Sequence, residues 1–287
     1  MGEIILELLL DALIDTAKLL PFLFLTYLLL EWIEHKAARK TAAFAARAGV
    51  FGPAVGGLLG AVPQCGFSAS AASLYAGGII SAGTLVAIFL STSDEMLPVM
   101  ISEKAAPSRI LLILGIKIVC AVLVGFLVDF ILYLTHKTSR KEDISHLCEE
   151  EHCHCEKGIF RSALVHTLQI ALFIFLLSLL IGGLIEAVGE DRLSALTEKA
   201  GVLGPIVCGL IGLIPNCASS TVLTKLFLGG IVGTGSMLAG LLAGSGVGLL
   251  ILFRVNKNIR ENLLITAVIY VTGVAVGILF DLLGVVL

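Results

Sequence analysis

The sequence predicts an all-α polytopic membrane protein made of two inverted-topology repeats, each with a broken or re-entrant helical hairpin, the two hairpins meeting at mid-membrane. Three observations predict it. The chain is 57% apolar and 14% charged, with a mean hydropathy of +1.03, whereas a soluble domain carries about a quarter charged residues. Several apolar runs exceed the ~20 residues that cross a hydrocarbon core, and the 31 glycines suit close helix packing, while the alternation of a membrane β-barrel is missing. Finally, Pro63-Gln64-Cys65-Gly66-Phe67-Ser68 returns as Pro215-Asn216-Cys217-Ala218-Ser219-Ser220, and 215 − 63, 217 − 65 and 220 − 68 all give 152. At that offset 12 of 22 positions are identical between 47–68 and 199–220, which a duplicated unit explains and a chance motif does not.

The first apolar run, 9–32, follows Glu3 and Glu7 without a basic leader, so it reads as a retained helix. It ends in a basic stretch, Lys36, Arg39 and Lys40, which places that end in the cytoplasm and the N-terminus outside. Two short apolar pieces follow, 49–62 and 67–80, separated by Pro63-Gln64-Cys65-Gly66. At ~1.5 Å per residue neither spans a bilayer, so together they read as a hairpin that enters and turns back. A third segment, 84–100, carries the polar cluster Ser91-Thr92-Ser93-Asp94-Glu95, and a full-length helix, 110–134, ends in His136, Lys137, Arg140 and Lys141.

The second half repeats the series as 163–185, the short pieces 202–214 and 218–232 around Pro215-Asn216-Cys217, then 236–253 and 263–286. An odd number of crossings followed by a copy forces the copy upside down, the arrangement of secondary transporters. The expected organisation is a first transmembrane repeat over 1–136, a cytoplasmic His/Cys/Glu-rich linker over 137–160 and an inverted repeat over 161–287. Both termini then lie outside a multi-pass protein of the inner (plasma) membrane.

An interrupted helix inside a bilayer leaves N–H and C=O groups that protein, water or a solute must satisfy, so the hairpin tips form the expected binding site. Pro63 and Pro215 end the first arms; Gln64 and Asn216 add amides, Cys65 and Cys217 thiols, Gly66 close backbone approach, and Ser68, Ser219 and Ser220 hydroxyls. At a helix N-terminus a thiol's pKa falls, and a thiolate prefers soft metals and metalloids. The competing reading makes both cysteines small packing residues, which is also how Cys120 and Cys208 are read. Asp94 and Glu95 are adjacent acids in an apolar segment, suited to cation coordination or proton coupling. Ser93 matches Ser245 under the offset, and Lys117 is a candidate partner for the acids. Asp94 and Glu95 at the hydrated outer end of a helix is the alternative.

Residues 146–156 hold three histidines, three cysteines and four glutamates in eleven positions. His146, Cys148, His152, Cys153, His154 and Cys155 are candidate ligands for a divalent metal such as zinc at the linker, though without zinc-finger spacing; a flexible linker with incidental metal affinity is the alternative. Seven cysteines in this distribution do not form a disulfide framework. No cofactor is required by any motif. Walker A, HExxH, nucleophile-elbow and dinucleotide patterns are missing, so no catalytic residue is assigned. The net charge of −3 points to no nucleic-acid partner.

The paired PQCGFS and PNCASS tips, with GVFGP and GVLGP before them and glycine pairs after, give a sequence that resembles the bacterial and archaeal ten-helix heavy-metal exporters. Members of that family are labelled arsenic efflux proteins or manganese transporters. The resemblance covers nearly the whole chain and implies export of a metal ion or metalloid, with the tips and the 91–95 cluster as the binding region. The expected function is therefore a secondary transporter of manganese, another divalent metal or an arsenical, with Cys65, Cys217, Asp94 and Glu95 as ligands. The alternatives are transport of a small sulfur-containing or other anion and, ranked lower, an intramembrane thiol oxidoreductase using Cys65 and Cys217. The expected partners are the lipid bilayer and the transported metal or metalloid, with a homodimer as the open option for assembly.

Overall fold

The computed structural model describes residues 51–62, 65–93, 96–135, 203–215 and 217–285, with scattered helical positions within 9–28 and 160–179. The described residues form helices and no strands. In the first half these are α1 (Gly52–Gly60), α2 (Cys65–Ala76), α3 (Ala82–Ser91), α4 (Met96–Ser102) and α5 (Pro107–Leu134). In the second they are α6 (Gly204–Gly212), α7 (Cys217–Leu228), α8 (Thr234–Ala243), α9 (Gly248–Val255) and α10 (Ile259–Leu282). Each start in the second half lies 152 residues after its counterpart, as in 204 − 52 and 259 − 107. The duplicated sequence has become a duplicated set of helix boundaries.

Four apolar spans among the described residues are long enough to cross a membrane: Ala82–Ser102, Pro107–Leu134, Thr234–Val255 and Ile259–Leu282. The first and third are interrupted, which differs from the expectation of single segments over 84–100 and 236–253. The cause is local. Thr92 Oγ1 and Ser91 Oγ donate to the Ile88 carbonyl at 2.7 and 3.1 Å, sharing it with the Thr92 N–H, and Thr92 leaves the helical region at ψ 123°. In the second half Gly244 leaves at ψ 104°, and Gly246 takes φ +54°, open to a residue without Cβ.

The two interrupted spans form the centre. Every residue from Gly83 to Ser91 and from Thr234 to Ala243 is buried. α5 packs along α3 and α10 along α8, each through one stripe at i+4 spacing. The stripe is Ile113, Lys117, Ala121 and Gly125 in α5, and Ile265, Ile269, Gly273 and Gly277 in α10, again 152 residues apart. A Cβ on Gly125 would lie 2.9 Å from the Cβ atoms of Ala87 and Pro53; on Gly277 it would lie 2.8 Å from Ala239 and 3.1 Å from Pro205. Backbones this close gain dispersion contacts that lipid cannot offer. The opposite faces expose Leu111, Leu123 and Leu127, and Leu263, Val271 and Leu279, as helices facing hydrocarbon should.

The halves interlock. α9 packs on α2, and α4 on α7, so the piece after each interruption rests on the second arm of the other half's hairpin. One apolar cluster joins Ala69 and Ala72 of α2 to Leu249 and Ile251 of α9, and another joins Met96 and Met100 of α4 to Leu223 and Phe227 of α7. Polar ends are tied down in matching fashion. Asp129 accepts from the Gly83 N–H at 2.8 Å and Asp281 from the Gly235 N–H at 3.0 Å, each satisfying an otherwise orphan donor at the start of a central helix. Both aspartates thus have a structural role at the helix starts they bond to.

Candidate functional site

The end of α1 and the interruption after α3 meet. Ser93, 1% exposed in the interruption after α3, donates its Oγ to the Ala61 carbonyl at 2.8 Å, and Ala61 is the residue just past α1. The end of the first hairpin arm is thereby bonded to the interruption. Gly60 allows that approach, since a Cβ there would strike the Ser91 hydroxyl and lie 2.6 Å from the Ile88 carbonyl oxygen. In the second half a Cβ on Gly212 would strike the Gly240 carbonyl oxygen, the equivalent contact. Across the halves, a Cβ on Gly248 at the start of α9 would lie 2.7 Å from Ser68 Cβ in the first turn of α2. Ser219, in the first turn of α7, donates to the Ile214 carbonyl at 3.3 Å and closes the second hairpin near its tip.

Lys117 lies at the middle of this arrangement and is fully buried. Its Nζ donates to the carbonyl of Thr92 and, at 2.7 Å, to that of Leu241 in the last turn of α8. One ammonium thus joins the C-terminal ends of both central helices, where the negative ends of their dipoles lie.

Ser68, Ser93, Ser219, Ser220 and Ser245 are all buried, and Pro215 is half-buried between α6 and α7. Cys65 and Cys217 open α2 and α7, with Gly66 in the first turn of α2. The side chains of Cys65 and Cys217, and the whole of Pro63, Gln64, Asp94, Glu95, Asn216 and the linker ligands His146, Cys148, His152, Cys153, His154 and Cys155, lie outside the described residues. Among the described residues no three His, Cys, Asp or Glu side chains group as metal ligands. Cys208 is buried in an apolar cluster and Cys120 is half-buried, which suits packing roles. Lys225 is exposed near the end of α7.

From the sequence Lys117 reads only as a candidate partner for Asp94 and Glu95. A charged residue inside an apolar run is visible from sequence, but its bond to Leu241 spans 124 positions and exists only in the fold.

A family model described as "Putative, 10TM heavy-metal exporter" matches residues 1–193, more than half of the 287-residue chain. The chain belongs to that heavy-metal exporter family. The stretch matched to the exporter model contains α1 to α5, and with them the first hairpin, the Ser93 interruption and Lys117; it ends before α6. Curated proteins and solved structures gave no match. The helix N-termini of α2 and α7 carry the buried hydroxyls of Ser68, Ser219 and Ser220, and the C-terminal ends of α3 and α8 carry the carbonyls that Lys117 holds.

Proposed function

We propose that this chain is a secondary transporter that exports a metal ion or metalloid, with its repeats inverted in the membrane and its substrate bound where the hairpin tips meet the interruptions. The substrate class is manganese, another divalent metal or an arsenical, and Cys65, Cys217, Asp94 and Glu95 supply its soft and charged ligands. One observation carries the reading. Two buried, membrane-length spans are interrupted at equivalent positions, Thr92 and Gly244, and pack against each other. Unwound backbone at that depth is tolerated where it lines a binding site. The His/Cys-rich linker is a separate cytoplasmic metal-binding segment in this reading.

The test is export of Mn2+, Cd2+ or arsenite by the purified protein in proteoliposomes, with the paired Cys65→Ser, Cys217→Ser variant beside it. Loss of export in a variant that still elutes as a folded species supports the thiol ligands; undiminished export by that variant removes them from the site. A second reading, transport of a small anion, is favoured by the buried positive charge of Lys117. Competition between metal and oxyanion for the same uptake separates the two.

A further inference from the structure

The two pairings that interlock the halves are equivalent under the repeat offset, yet they are not equally tight. α9 packs on α2 more extensively than α4 packs on α7. Leu249 and Ile251 of α9 are buried, whereas their counterparts in α4, Leu97 and Val99, are only half-buried. Just past α2, Gly77 is buried, whereas Gly229 just past α7 is exposed. These pairs match in residue type, leucine for leucine, glycine for glycine and one β-branched residue for another, so side-chain chemistry does not account for the difference. Where the type does change, the change goes the same way: Ser73 of α2 is buried, and Lys225, its counterpart in α7, is exposed.

One pair of residues accounts for which side is tight. A Cβ on Gly248, at the start of α9, would lie 2.7 Å from Ser68 Cβ, 2.8 Å from Phe89 Cε1 and 2.9 Å from the Ser68 carbonyl carbon, so glycine is what lets α9 come this close to α2. Its counterpart at the start of α4 is Met96, fully buried in one apolar cluster with Leu223 of α7. Ser68 is matched by Ser220 on that side, so the surface approached is alike and the approaching residue is not. Methionine is unbranched and can repack, so a closer approach of α4 to α7 is disfavoured without being barred.

We propose that these pairings are the two gates of the transport site, that the α9–α2 gate is shut and the α4–α7 gate loosened in this structure, and that Gly248 and Met96 set this resting preference. This rests on the export reading, and on Arg254, Lys257 and Arg260, at the end of α9 and just past it, marking the cytoplasmic side. The resting protein then opens its site to the outside, the state in which an exporter releases its cargo. Inverted repeats alternate by gating about a fixed site. In the second state α4 closes on α7 and α9 withdraws from α2, opening the site to the cytoplasm for loading.

The experiment reads thiol access in the full-length protein in membrane vesicles with no metal added. Leu97→Cys and Leu249→Cys are each treated with a membrane-impermeant methanethiosulfonate, and mass spectrometry locates the modified residue, which keeps the native cysteines out of the readout. Leu97→Cys is expected to react about tenfold faster or more, since a shut gate is open in only a minor fraction of molecules, and to be reached from the side opposite Arg254. Adding Gly248→Ala should raise the rate at Leu249→Cys and lower it at Leu97→Cys, and Met96→Gly should move both rates in the same directions by easing the other gate shut. A merely local clash in Gly248→Ala would raise the rate at Leu249→Cys and leave Leu97→Cys unchanged, which overturns the proposal. Equal rates at Leu97→Cys and Leu249→Cys, or access to Leu97→Cys only from the side of Arg254, overturn it too and leave metal export untouched. If Gly248→Ala does not fold, the absence of opposite rate changes in Met96→Gly overturns it instead. The expected labelling in a protein that moves no metal in proteoliposomes would sink the export reading alone.

Discussion

Lys117 and Ile269 hold the same position in the buried stripes of α5 and α10, 152 residues apart, and only Lys117 carries a charge. The difference is matched by what faces each of them. Lys117 reaches the carbonyl ends of α3 and α8, whereas Ile269 belongs to an apolar cluster with Leu85, Phe89 and Leu252.

Ile269→Lys should therefore be strongly damaging, because every neighbour named for it is apolar. An ammonium placed in that cluster is expected to cost about 3 kcal/mol or more. Thermal unfolding in nanodiscs checks it, with a large fall in midpoint expected; a midpoint within a degree or two of the parent would show that the second stripe hides equivalent carbonyls.

Glycine substitutions should sort by what their Cβ meets. Gly125→Val and Gly277→Val push the peripheral helices off α3 and α8 and are expected to destabilise by about 1–3 kcal/mol each or more. Gly115, in the same helix as Gly125, has open space around it, with nothing within 4 Å of where a Cβ would sit. Gly115→Ala should be neutral or stabilising by up to ~1 kcal/mol, the helix-propensity difference. Equal losses at Gly115 and Gly125 in the same unfolding assay would contradict the packing.

The two aspartates should differ although their positions correspond. Asp129 accepts from the Gly83 N–H and from Ser81 Oγ at 2.7 Å, and Ser81 also caps α3 by accepting from the Thr84 N–H at 3.1 Å. The counterpart of Ser81 is Gly233, which has no hydroxyl to offer Asp281. Asp129→Ala is expected to cost about 1.5–3 kcal/mol, in the range of hydrogen bonds to charged groups, and Asp281→Ala less. Unfolding midpoints of the two variants measured side by side decide the order.

Ser93→Ala removes the bond that ties the first hairpin arm to the interruption, leaving the Ala61 carbonyl without that donor. The expected stability loss is about 1–3 kcal/mol, and the maximal export rate should fall more than the apparent substrate affinity. Kinetics in proteoliposomes test this; a wild-type rate would detach Ser93 from the transport site.

Much of the fold was legible because its causes are local. α1 and α6 end at Gly60 and Gly212, close to where the apolar runs end, and the repeat offset carries each boundary into the second half. The interruptions were harder to see. Ser91-Thr92-Ser93 and Gly244-Ser245-Gly246 are small residues that helices in membranes also tolerate, so an apolar window reads straight through them. Ser93 and Ser245 correspond through the repeat offset and are both buried, whereas the bonds of Lys117 to the Thr92 and Leu241 carbonyls leave no trace in the sequence.

By itself the sequence determined that this protein is a helical membrane protein with a duplicated plan, since hydrophobic run length, charge depletion and an internal repeat are properties of the chain alone. Tertiary structure decided which ends meet. The pairing of α9 with α2 and of α4 with α7, and the joining of Thr92 to Leu241 through Lys117, connect residues whose sequence separation gives no signal. They are set by the need to bury interrupted backbone against something that can satisfy it.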